Sequence, residues 1–474
     1  MDNRQLHRRT FFASGAAAAL GLAGGSASAD DAAPPGTLRE APRDVKVIDD
    51  CDVVVCGGGP AGAAAAIAAA RAGARTRLIE ANGCLGGIWT AGLLSWILDA
   101  RNKGGIMREI VERLRRQDAA VGLSAEGASG SEAYRPETMK LLLEQMCQEA
   151  GVTVRLHTMV VGAVRDAAGR ITHAITESKS GREAFAGKTF VDATGDGDLS
   201  ARAGCSFDYG REGTGQAQPM SMIAMLVGLD PKAVSAFTRG LSSEKGQSSK
   251  ARLLAEMTRC GVTPSYSQPT MFYLGSGLYC LMANHEYGVS PMSADDLTAA
   301  TLRGRAEVHR LVYALRKNSP AWADVQIVAT AEHIGVREGR RIRGLYQVSK
   351  EDLRTGARHD DAVCRVFFGV DVHSTDPSKE KGIAREGLRA RAYDIPYRSL
   401  IAADVKGLLL AGRCISGDFL AHSSYRVTGN SVACGQAAGA AAALAAKSGK
   451  LPQDVPFGEI KQAVEKQPAT QPAD

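Results

Sequence analysis

Three glycines and one acid near the start of the chain have the spacing of a nucleotide-binding site. Gly57, Gly59 and Gly62 follow an apolar run of strand length, and Glu80 lies 18 residues after Gly62. In such a pattern the first glycine allows a sharp turn, the second lets the backbone approach a pyrophosphate, and the third lets a helix and a strand pack closely. A carboxylate at the position of Glu80 can accept hydrogen bonds from the two hydroxyls of an adenosine ribose. The spacing therefore predicts a dinucleotide site.

A strand, a tight turn, a helix and a second strand position these residues. The apolar run at 51–56 predicts the first strand, the alanine-rich run at 61–72 the helix, and residues 75–79 the second strand. The start of the helix, with Pro60 and Ala61, would present unpaired N–H groups and the positive end of the helix dipole to phosphate. A glycine-rich helix start without a ligand is the alternative, and the common register of strand, helix and acid argues against it.

A second group of residues that can do chemistry lies far downstream. Residues 407–411 have a buried-strand pattern, and His422, Tyr425 and Arg426 follow it before a small-residue helix that is predicted to begin at Gly435. Since ligands bind at the carboxyl edge of such a sheet, we expect this cluster on the active-site side. Histidine titrates near neutral pH, so His422 is the first candidate for a catalytic base and Tyr425 the second.

Arginines are the candidates for substrate binding. The guanidinium group binds carboxylates in a bidentate manner, so we expect Arg426, Arg398 and Arg337 to hold or polarise an anionic group. A solvated basic strand edge is the alternative reading for Arg341 and Arg343, which follow Arg337 closely in the chain.

Residues 1–29 resemble a twin-arginine export signal and are not expected to belong to the fold. They contain paired arginines, two phenylalanines, a mildly apolar stretch of alanine and glycine, and an A-x-A cleavage site, namely Arg8, Arg9, Phe11, Phe12 and Ala27-Ser28-Ala29. The apolar stretch is too short and too rich in glycine for a membrane span, which needs roughly 20 apolar residues. We expect cleavage after Ala29, a periplasmic or secreted mature chain, and no transmembrane segment within it. An uncleaved membrane anchor is the alternative.

Composition narrows the classes of function. The chain has 474 residues and a formal net charge of +6, which is too slight to predict a nucleic-acid partner. Its ten cysteines are scattered without a C-x-x-C pair. We therefore expect mostly buried thiols, and we predict no c-type haem, no iron–sulfur cluster and no metal site. Electrons that reach this protein must then pass to or from an external acceptor or donor.

The remaining patterns predict further helices and strands. Helices are expected at 105–119 and 136–150, and a strand at 152–156. A small antiparallel meander is expected at 160–165, 171–178 and 182–191. Farther on, we expect a strand at 220–229, a long amphipathic helix at 297–317 and another strand at 325–331.

These elements predict an α/β fold in two parts. A Rossmann-like dinucleotide-binding domain, with a parallel sheet plus the small antiparallel meander, is expected from residues 50–206 and 394–450. An inserted α+β substrate domain is expected at 207–393. Residues 30–49 are predicted to be a linker and residues 451–474 a C-terminal tail.

Several motifs together resemble the FAD-dependent oxidoreductases related to the fumarate reductase flavoprotein. They are spread over about residues 50–448 and include GGGPAG with Glu80, the following LGG, VDATGDGDLSARAG, EHIGVREGRRIRG, Asp371-Val372-His373 and LLLAGRCISGDFLAHSSYRVTGNSVACGQAAGAAA. The last motif is specific, whereas the first glycine motif alone does not separate FAD from NAD. Gly339 departs from the pattern, because relatives usually carry serine there.

The resemblance implies FAD as the cofactor and assigns residues to it. The cofactor-binding candidates are Gly57, Gly59, Pro60, Ala61, Gly62, Glu80, Gly86, Gly87, Thr194, Gly195, Asp196, Gly412, Arg413, Gly435, Gln436 and Ala437. The last three are expected to open the C-terminal helix, where free N–H groups stabilise negative charge on the reduced flavin ring. A tightly packed alanine-rich helix is the alternative for that segment.

We therefore expect an exported FAD enzyme that transfers a hydride between flavin N5 and a carbon of a small substrate, which is anionic or polyhydroxylated. In the oxidising direction a base, first His422, then Tyr425 or His373, takes a proton from the substrate. One alternative is a reductase of an activated double bond, like fumarate reductase, that uses an arginine as proton donor. Another is a flavin redox or binding protein without a small substrate. The electron acceptor and the oligomeric state are not predicted.

Overall fold

The structure, a computed structural model, describes residues 36–117, 120–124, 131–241, 248–384 and 386–467. The predicted export signal at 1–29, the start of the predicted linker and the end of the predicted tail lie outside the described residues. The described residues from Val45 onward form one compact unit, and residues 36–44 lie outside it. All strands and helices of the described residues belong to this unit.

The described strands and helices are numbered in chain order. The strands are β1 (Lys46–Ile48), β2 (Val53–Cys56), β3 (Thr76–Ile79), β4 (Trp96–Leu98), β5 (Ala120–Ser124), β6 (Ser131–Tyr134), β7 (Thr153–Arg155), β8 (Met159–Arg165), β9 (Ile171–Ser178), β10 (Gly181–Ala186), β11 (Thr189–Asp192), β12 (Phe207–Asp208), β13 (Ile223–Val227), β14 (Thr238–Arg239), β15 (Thr270–Tyr273), β16 (Tyr279–Met282), β17 (Gln326–Thr330), β18 (Arg341–Ile342), β19 (Ala362–Val366), β20 (Tyr393–Pro396) and β21 (Leu408–Leu410). The helices are α1 (Pro60–Arg71), α2 (Gly105–Arg116), α3 (Pro136–Glu149), α4 (Asp198–Arg202), α5 (Ser249–Arg259), α6 (Ala294–Asn318), α7 (Lys350–Thr355), α8 (Phe419–Tyr425), α9 (Thr428–Ser448) and α10 (Phe457–Glu465).

A five-stranded parallel sheet carries the predicted nucleotide site. Its strand order is β21-β11-β2-β3-β7, and every neighbouring pair is parallel. The four strands β2, β3, β11 and β21 are buried along their whole length, as expected for a sheet that is covered on both faces. The chain leaves the carboxyl edge of this sheet at Gly57, Glu80, Ala193 and Ala411. The predicted α/β class with a parallel sheet is confirmed.

The antiparallel meander is present, with one correction. β8, β9 and β10 pair antiparallel, and β1 adds to β10 as a parallel edge strand. The third predicted run, 182–191, is not one strand. It divides between β10 and β11, because the chain leaves the meander at Gly187, which lies against Val54, and the residues that follow are buried in the parallel sheet.

Two alanine-rich helices, α1 and α9, pack against each other and against the parallel sheet. Their close approach depends on glycine, because a Cβ on Gly435 would overlap the Ala61 carbonyl group and a Cβ on Gly439 that of Ala65. α9 begins at Thr428 and not at Gly435, so the predicted start is wrong. Glycine, serine, threonine and asparagine in its first turns have low helix propensity, and burial against the rest of the fold overrides that preference.

A second, mostly antiparallel sheet has the strand order β14-β15-β16-β13-β17 and contacts α5 and α6. It has an apolar core of its own, which includes Met225, Phe272 and Trp322. The core around the parallel sheet is a separate cluster. The division into a dinucleotide-binding domain and an inserted substrate domain stays a prediction, and the two cores agree with it.

All ten cysteines are free thiols, and nine of them are buried. The prediction of buried thiols is therefore confirmed. Within the part of the chain that the structure describes, no helix is long and apolar enough to cross a membrane.

Candidate active site

The glycine turn after β2 has the shape that a pyrophosphate site needs. A Cβ on Gly57 would meet Ala193, and a Cβ on Gly62 would overlap the Gly57 carbonyl, so neither position has room for a side chain. Gly57 also has φ +98°, which favours glycine. Gly59, in contrast, faces open space, with no atom within 4 Å of an added Cβ. The turn is therefore tight where protein packs and open where a ligand can approach.

α1 begins at this turn and offers hydrogen-bond donors to the same space. Gly59 is its N-cap and Pro60 its first residue. The Ala63 N–H donates to the Gly59 carbonyl at 2.9 Å, which leaves the N–H groups of Ala61 and Gly62 without partners inside the helix. No acidic residue lies in the first turn. The helix start thus provides donors and a positive dipole end for phosphate.

Glu80 lies beside the glycine turn, as its spacing predicts. Its Oε2 accepts a hydrogen bond from the Gly58 N–H at 2.5 Å, and its Oε1 accepts one from the Asn82 N–H at 2.7 Å. Oε1 accepts a second hydrogen bond from Asn82 Nδ2 at 2.6 Å, so Oε2 is the oxygen that keeps acceptor capacity for a hydroxyl donor. Gly86 and Gly87 are both left-handed, and the Gly86 N–H donates to the Gly58 carbonyl at 2.8 Å. This loop therefore also lies against the turn.

Asp196 and Arg413 join two further segments at the same edge of the sheet. Arg413 Nη2 donates to Asp196 Oδ1 at 2.6 Å, and Arg413 Nε donates to the Gly195 carbonyl at 3.0 Å. Thr194 Oγ1 donates to Asp192 at 2.7 Å, which fixes the start of that loop after β11. The segment after β21 is thereby tied to the segment after β11.

Gly412 brings the segment after β21 to the start of α1. It is left-handed, with φ +85°, and a Cβ on it would lie 2.9 Å from the Cβ of Ala61. The structure therefore places most of the predicted cofactor residues at one edge of the parallel sheet, while their contacts with the cofactor stay a prediction. These residues are Gly57, Gly59, Pro60, Ala61, Gly62, Glu80, Gly86, Gly87, Thr194, Gly195, Asp196, Gly412 and Arg413.

Gly435, Gln436 and Ala437 do not open a helix. They lie in the third turn of α9, where N–H groups are bonded within the helix. Gln436 Oε1 accepts a hydrogen bond from the Ile106 N–H at 3.1 Å. Gln436 also lines a cleft of about 440 Å³ beside α2 and α10. The prediction that these three residues present free N–H groups is wrong, and their assignment to the cofactor loses its physical reason.

The first turn of α9 has the properties that were expected at Gly435. Neither a side-chain cap nor an acidic residue occupies it. Thr428 Oγ1 and both amide atoms of Asn430 are buried without a hydrogen-bond partner among the described residues. Buried polar atoms are seldom left unpaired, so these orphaned atoms fit a polar ligand that the polypeptide itself does not supply.

His422 lies on α8, a short helix capped by Asp418, whose side chain accepts from the Ala421 N–H at 2.7 Å. The ring is fully buried, and neither nitrogen has a hydrogen-bond partner in the described ranges. Burial lowers the pKa of His422 well below its ordinary value, and the charges of Arg341 and Arg426 act in the same direction. A ring that resists protonation and has no hydrogen-bond partner to which it could pass a proton is a poor base, so the structure disfavours His422 in that role.

Tyr425 and Arg398 are engaged elsewhere. The Tyr425 hydroxyl is buried and donates to the Ile415 carbonyl at 2.9 Å, and burial raises its pKa well above the ordinary value. Arg398 is half exposed and pairs with Asp361 at 2.9 Å. Neither the predicted base role of Tyr425 nor the predicted substrate role of Arg398 agrees with these contacts.

Arg337 and Arg426 lie close together, and their role in substrate binding stays a prediction. Arg426 Nη1 donates to the Arg337 carbonyl at 3.3 Å and its Nη2 to the Asp371 carbonyl at 2.8 Å. Arg337 Nη1 donates to the Pro219 carbonyl at 2.7 Å and to Ser221 Oγ at 2.9 Å. Burial lowers the pKa of both guanidinium groups, that of Arg426 to about 10, a value at which Arg426 is still charged at neutral pH. The Asp371 carboxylate lies 3.8 Å from Arg426. This arrangement suits an anionic ligand.

Sequence reasoning named Asp371 and His373 but missed the line of side chains that they form with His285 and Tyr287 beside these arginines. The Tyr287 hydroxyl lies 2.9 Å from His285 Nδ1, and His285 Nε2 lies 2.9 Å from His373 Nδ1. His373 Nε2 in turn lies 3.3 Å from Asp371 Oδ2. In each of the two segments the contributing residues, His285 with Tyr287 and Asp371 with His373, are two positions apart. This spacing places two side chains on the same side of an extended backbone. That spacing in an HEY and a DVH sequence is the signal that could have found them.

Burial and nearby charges fix the protonation states of the side chains in this line. Burial, helped by the charge of Arg337, lowers the pKa of His373 to about 3 and that of His285 far below its ordinary value. Burial alone would raise the pKa of Asp371, but His373, Arg426 and Arg337 hold it well below its ordinary value. Near neutral pH the line therefore contains two neutral imidazoles, those of His285 and His373, and the ionised carboxylate of Asp371.

Comparison with known proteins places these features in context. A family model described as FAD dependent oxidoreductase matches residues 52–464. Comparison with curated proteins finds no match. Three solved structures are similar to this chain at low sequence identity.

A geranylgeranyl bacteriochlorophyll reductase-like protein from Thermoplasma acidophilum is 13% identical to this chain, with a TM-score of 0.45. The match covers 89% of this chain and 83% of that chain. The p-nitrophenol 4-monooxygenase PnpA from Pseudomonas putida DLL-E4 is 12% identical, with a TM-score of 0.46, covering 89% and 84%. The myxobacterial chondrochloren halogenase CndH is 14% identical, with a TM-score of 0.45, covering 89% and 78%.

Proposed function

The chain belongs to the FAD dependent oxidoreductase family, and from this premise we propose that it transfers a hydride between FAD and a carbon of a small anionic substrate. The protein is an enzyme, and its cofactor is FAD. The observation that carries the proposed substrate class is that two partly buried guanidinium groups, those of Arg337 and Arg426, act on one carboxylate, that of Asp371, which lies 3.8 Å from Arg426. Buried cations in excess of nearby carboxylates favour an anion.

The residues at the carboxyl edge of the parallel sheet fit FAD. The open face of Gly59 and the start of α1 suit the pyrophosphate, and the Glu80 carboxylate suits the ribose hydroxyls. The unpaired polar atoms of Thr428 and Asn430 suit the polar edge of the flavin ring. When bound, FAD supplies the hydride acceptor or donor.

Arg337 and Arg426 would then orient the substrate by gripping its anionic group. A fixed guanidinium fork restricts the rotation of a carboxylate and so presents one carbon for hydride transfer. A second candidate is the reduction of an activated double bond, in the manner of fumarate reductase, which the sequence motifs resemble. The lowered pKa of Arg426, about 10, favours that direction, because such a guanidinium group gives up a proton more readily.

Export is also part of the proposal. The paired arginines Arg8 and Arg9, the apolar stretch and the A-x-A site at 27–29 support a twin-arginine signal that is cleaved after Ala29. The free thiols support folding and FAD loading in a reducing compartment before export to the periplasm. The electrons would pass to or from an external partner.

Bleaching of the bound flavin tests this function. Purified holoenzyme is mixed without oxygen with hydroxy acids, amino acids, sugar acids and, as uncharged controls, alcohols and sugars. We expect bleaching by an anionic compound and none by its uncharged analogue. For the second candidate, dithionite-reduced enzyme is mixed with unsaturated acids, and flavin reoxidation is followed. Bleaching by uncharged compounds alone, or no response in either direction, contradicts the proposal.

A further inference from the structure

We infer that Tyr287 exchanges a proton with the substrate, and that His285, His373 and Asp371 behind it take up and return that proton. The inference rests on the proposed hydride transfer, because oxidation of a hydroxyl or amine leaves one proton to be moved. The four groups form one continuous line of contacts of 2.9, 2.9 and 3.3 Å.

The hydrogen bonds of this line can have only one direction in the resting state. The ionised Asp371 accepts, so His373 carries its proton on Nε2 and accepts on Nδ1. His285 must then carry its proton on Nε2 to donate to His373, and accept on Nδ1. The Tyr287 hydroxyl is left to donate to His285. Every donor thus points from Tyr287 towards Asp371.

The surroundings hold the line in place. The centroids of the Tyr266 and His285 rings lie 4.1 Å apart, and the backbone N–H of His373 donates to Gln218 Oε1 at 2.9 Å. Both imidazoles are buried, whereas Tyr287 is only partly buried. The charged groups that act on the imidazoles are Arg337, Arg426 and Asp371, and those that act on Tyr287 are Arg337, Glu380 and Glu307. Arg337 and Arg426 are the proposed anion-binding pair. Tyr287 is therefore the end of the line that can meet a substrate beside Arg337.

The proton step balances within this line. As the O–H bond of the substrate hydroxyl breaks, the proton goes to the Tyr287 oxygen, and the proton of the Tyr287 hydroxyl goes to His285 Nδ1. The Nε2 proton of His285 goes to His373 Nδ1, and that of His373 to Asp371. The substrate C–H electron pair leaves as hydride to FAD, which is the oxidant. After product release water takes the proton from Tyr287, and the line shifts back because the charges of Arg426 and Arg337 favour the ionised form of Asp371.

The tautomers can be observed without turnover. In holoenzyme labelled with ¹⁵N-histidine, the line predicts that His285 and His373 are both neutral with the proton on Nε2 between about pH 5 and 8. The signals are assigned with His285→Gln and His373→Gln. Tyr287→Phe should shift the Nδ1 signal of His285, which loses its donor. A proton on Nδ1 of His373, or titration of either ring in this range, overturns the inference.

Turnover provides the second measurement. Flavin bleaching by lactate, malate, tartrate and gluconate is followed in the wild type and in Tyr287→Phe, in water and in deuterium oxide. For each compound that bleaches the wild type, Tyr287→Phe should reduce the rate by about 10²-fold with FAD still bound, and diminish the solvent isotope effect. The matched control is Tyr313→Phe, whose ring is 66% exposed, and it should behave as the wild type.

The outcomes separate this inference from the proposed function. If the wild type is bleached and Tyr287→Phe is bleached at the same rate with the same isotope effect, the relay is overturned while the hydride transfer stands. If none of these acids bleaches the wild type, the proposed function loses its substrate class and the relay falls with it. If Tyr287→Phe is slow but keeps the full isotope effect, Tyr287 only shapes the site, and the inference is also overturned.

Discussion

Replacing Gly439 by alanine should push helices α1 and α9 apart. The new Cβ would lie 2.7 Å from the carbonyl carbon and 2.8 Å from the Cα of Ala65, and would overlap the carbonyl oxygen. Carbon atoms settle at about 3.5–4.0 Å from each other, so the two backbones must separate by about 1 Å. Overpacking of this kind costs about 1–3 kcal/mol, and a rigid backbone partner favours the upper half of that range. Alanine returns about 1 kcal/mol through its better helix propensity. We expect the free energy of unfolding to fall by about 1–2 kcal/mol.

Gly458→Ala is the matched control for this substitution. Gly458 lies on α10, and an added Cβ there meets no atom within 4 Å. The same change should therefore stabilise the protein, by up to about 1 kcal/mol. Urea unfolding of the two holoenzyme variants, followed by far-ultraviolet circular dichroism, gives the shifts in midpoint. A midpoint of Gly439→Ala at or above the wild-type value, or equal shifts in both variants, refutes the reasoning.

Three further predictions concern the cofactor, pH and export. Glu80→Gln leaves the ribose site with one acceptor fewer, so FAD should bind more weakly by about 1–3 kcal/mol, and unchanged release of FAD in a fluorescence assay contradicts the assignment. The pKa of Asp52 is held well below 3.8, chiefly by a hydrogen bond from Arg75, so its stabilisation exists above that pH and is lost as the pH falls. Asp52→Asn should thus lower the urea midpoint at pH 7 and lower it progressively less as the pH falls below 3.8. An equal effect at pH 7 and well below pH 3.8 contradicts this. Replacing Arg8 and Arg9 by lysine should keep a folded, FAD-loaded precursor inside the cell, and normal export of that variant, measured by cell fractionation, contradicts the twin-arginine proposal.

The glycine turn could be predicted because its determinants are local. The residue types from Val53 to Glu80 set strand, turn, helix and acid within one short segment, and the structure places β2, α1 and β3 within one or two residues of their predicted bounds. Each choice in this segment is supported by its immediate neighbours, so distant parts of the chain have little to override.

The rest of the candidate site depends on pairing between distant segments. His285 and His373 are separated by 88 positions in the chain, and their contact follows from how β16 and the loop before β20 are placed. Arg398 was assigned to the substrate, but its pairing with Asp361 turns it to another partner. The start of α9 was missed because burial stabilises a helix where local propensity does not. Residue types alone cannot specify these long-range contacts.

Anaerobic stopped-flow reduction of the bound FAD tests the central claim that Arg337 and Arg426 hold an anionic substrate for hydride transfer. The anionic compound that bleaches the flavin of the wild type is added at increasing concentrations to Arg426→Lys and, as the matched control, to Arg398→Lys. Lysine keeps the charge and loses the planar fork. We predict that Arg426→Lys raises the apparent Kd by about 10-fold or more, while Arg398→Lys matches the wild type. Equal Kd values for Arg426→Lys and the wild type, or equal losses in both variants, would contradict the claim.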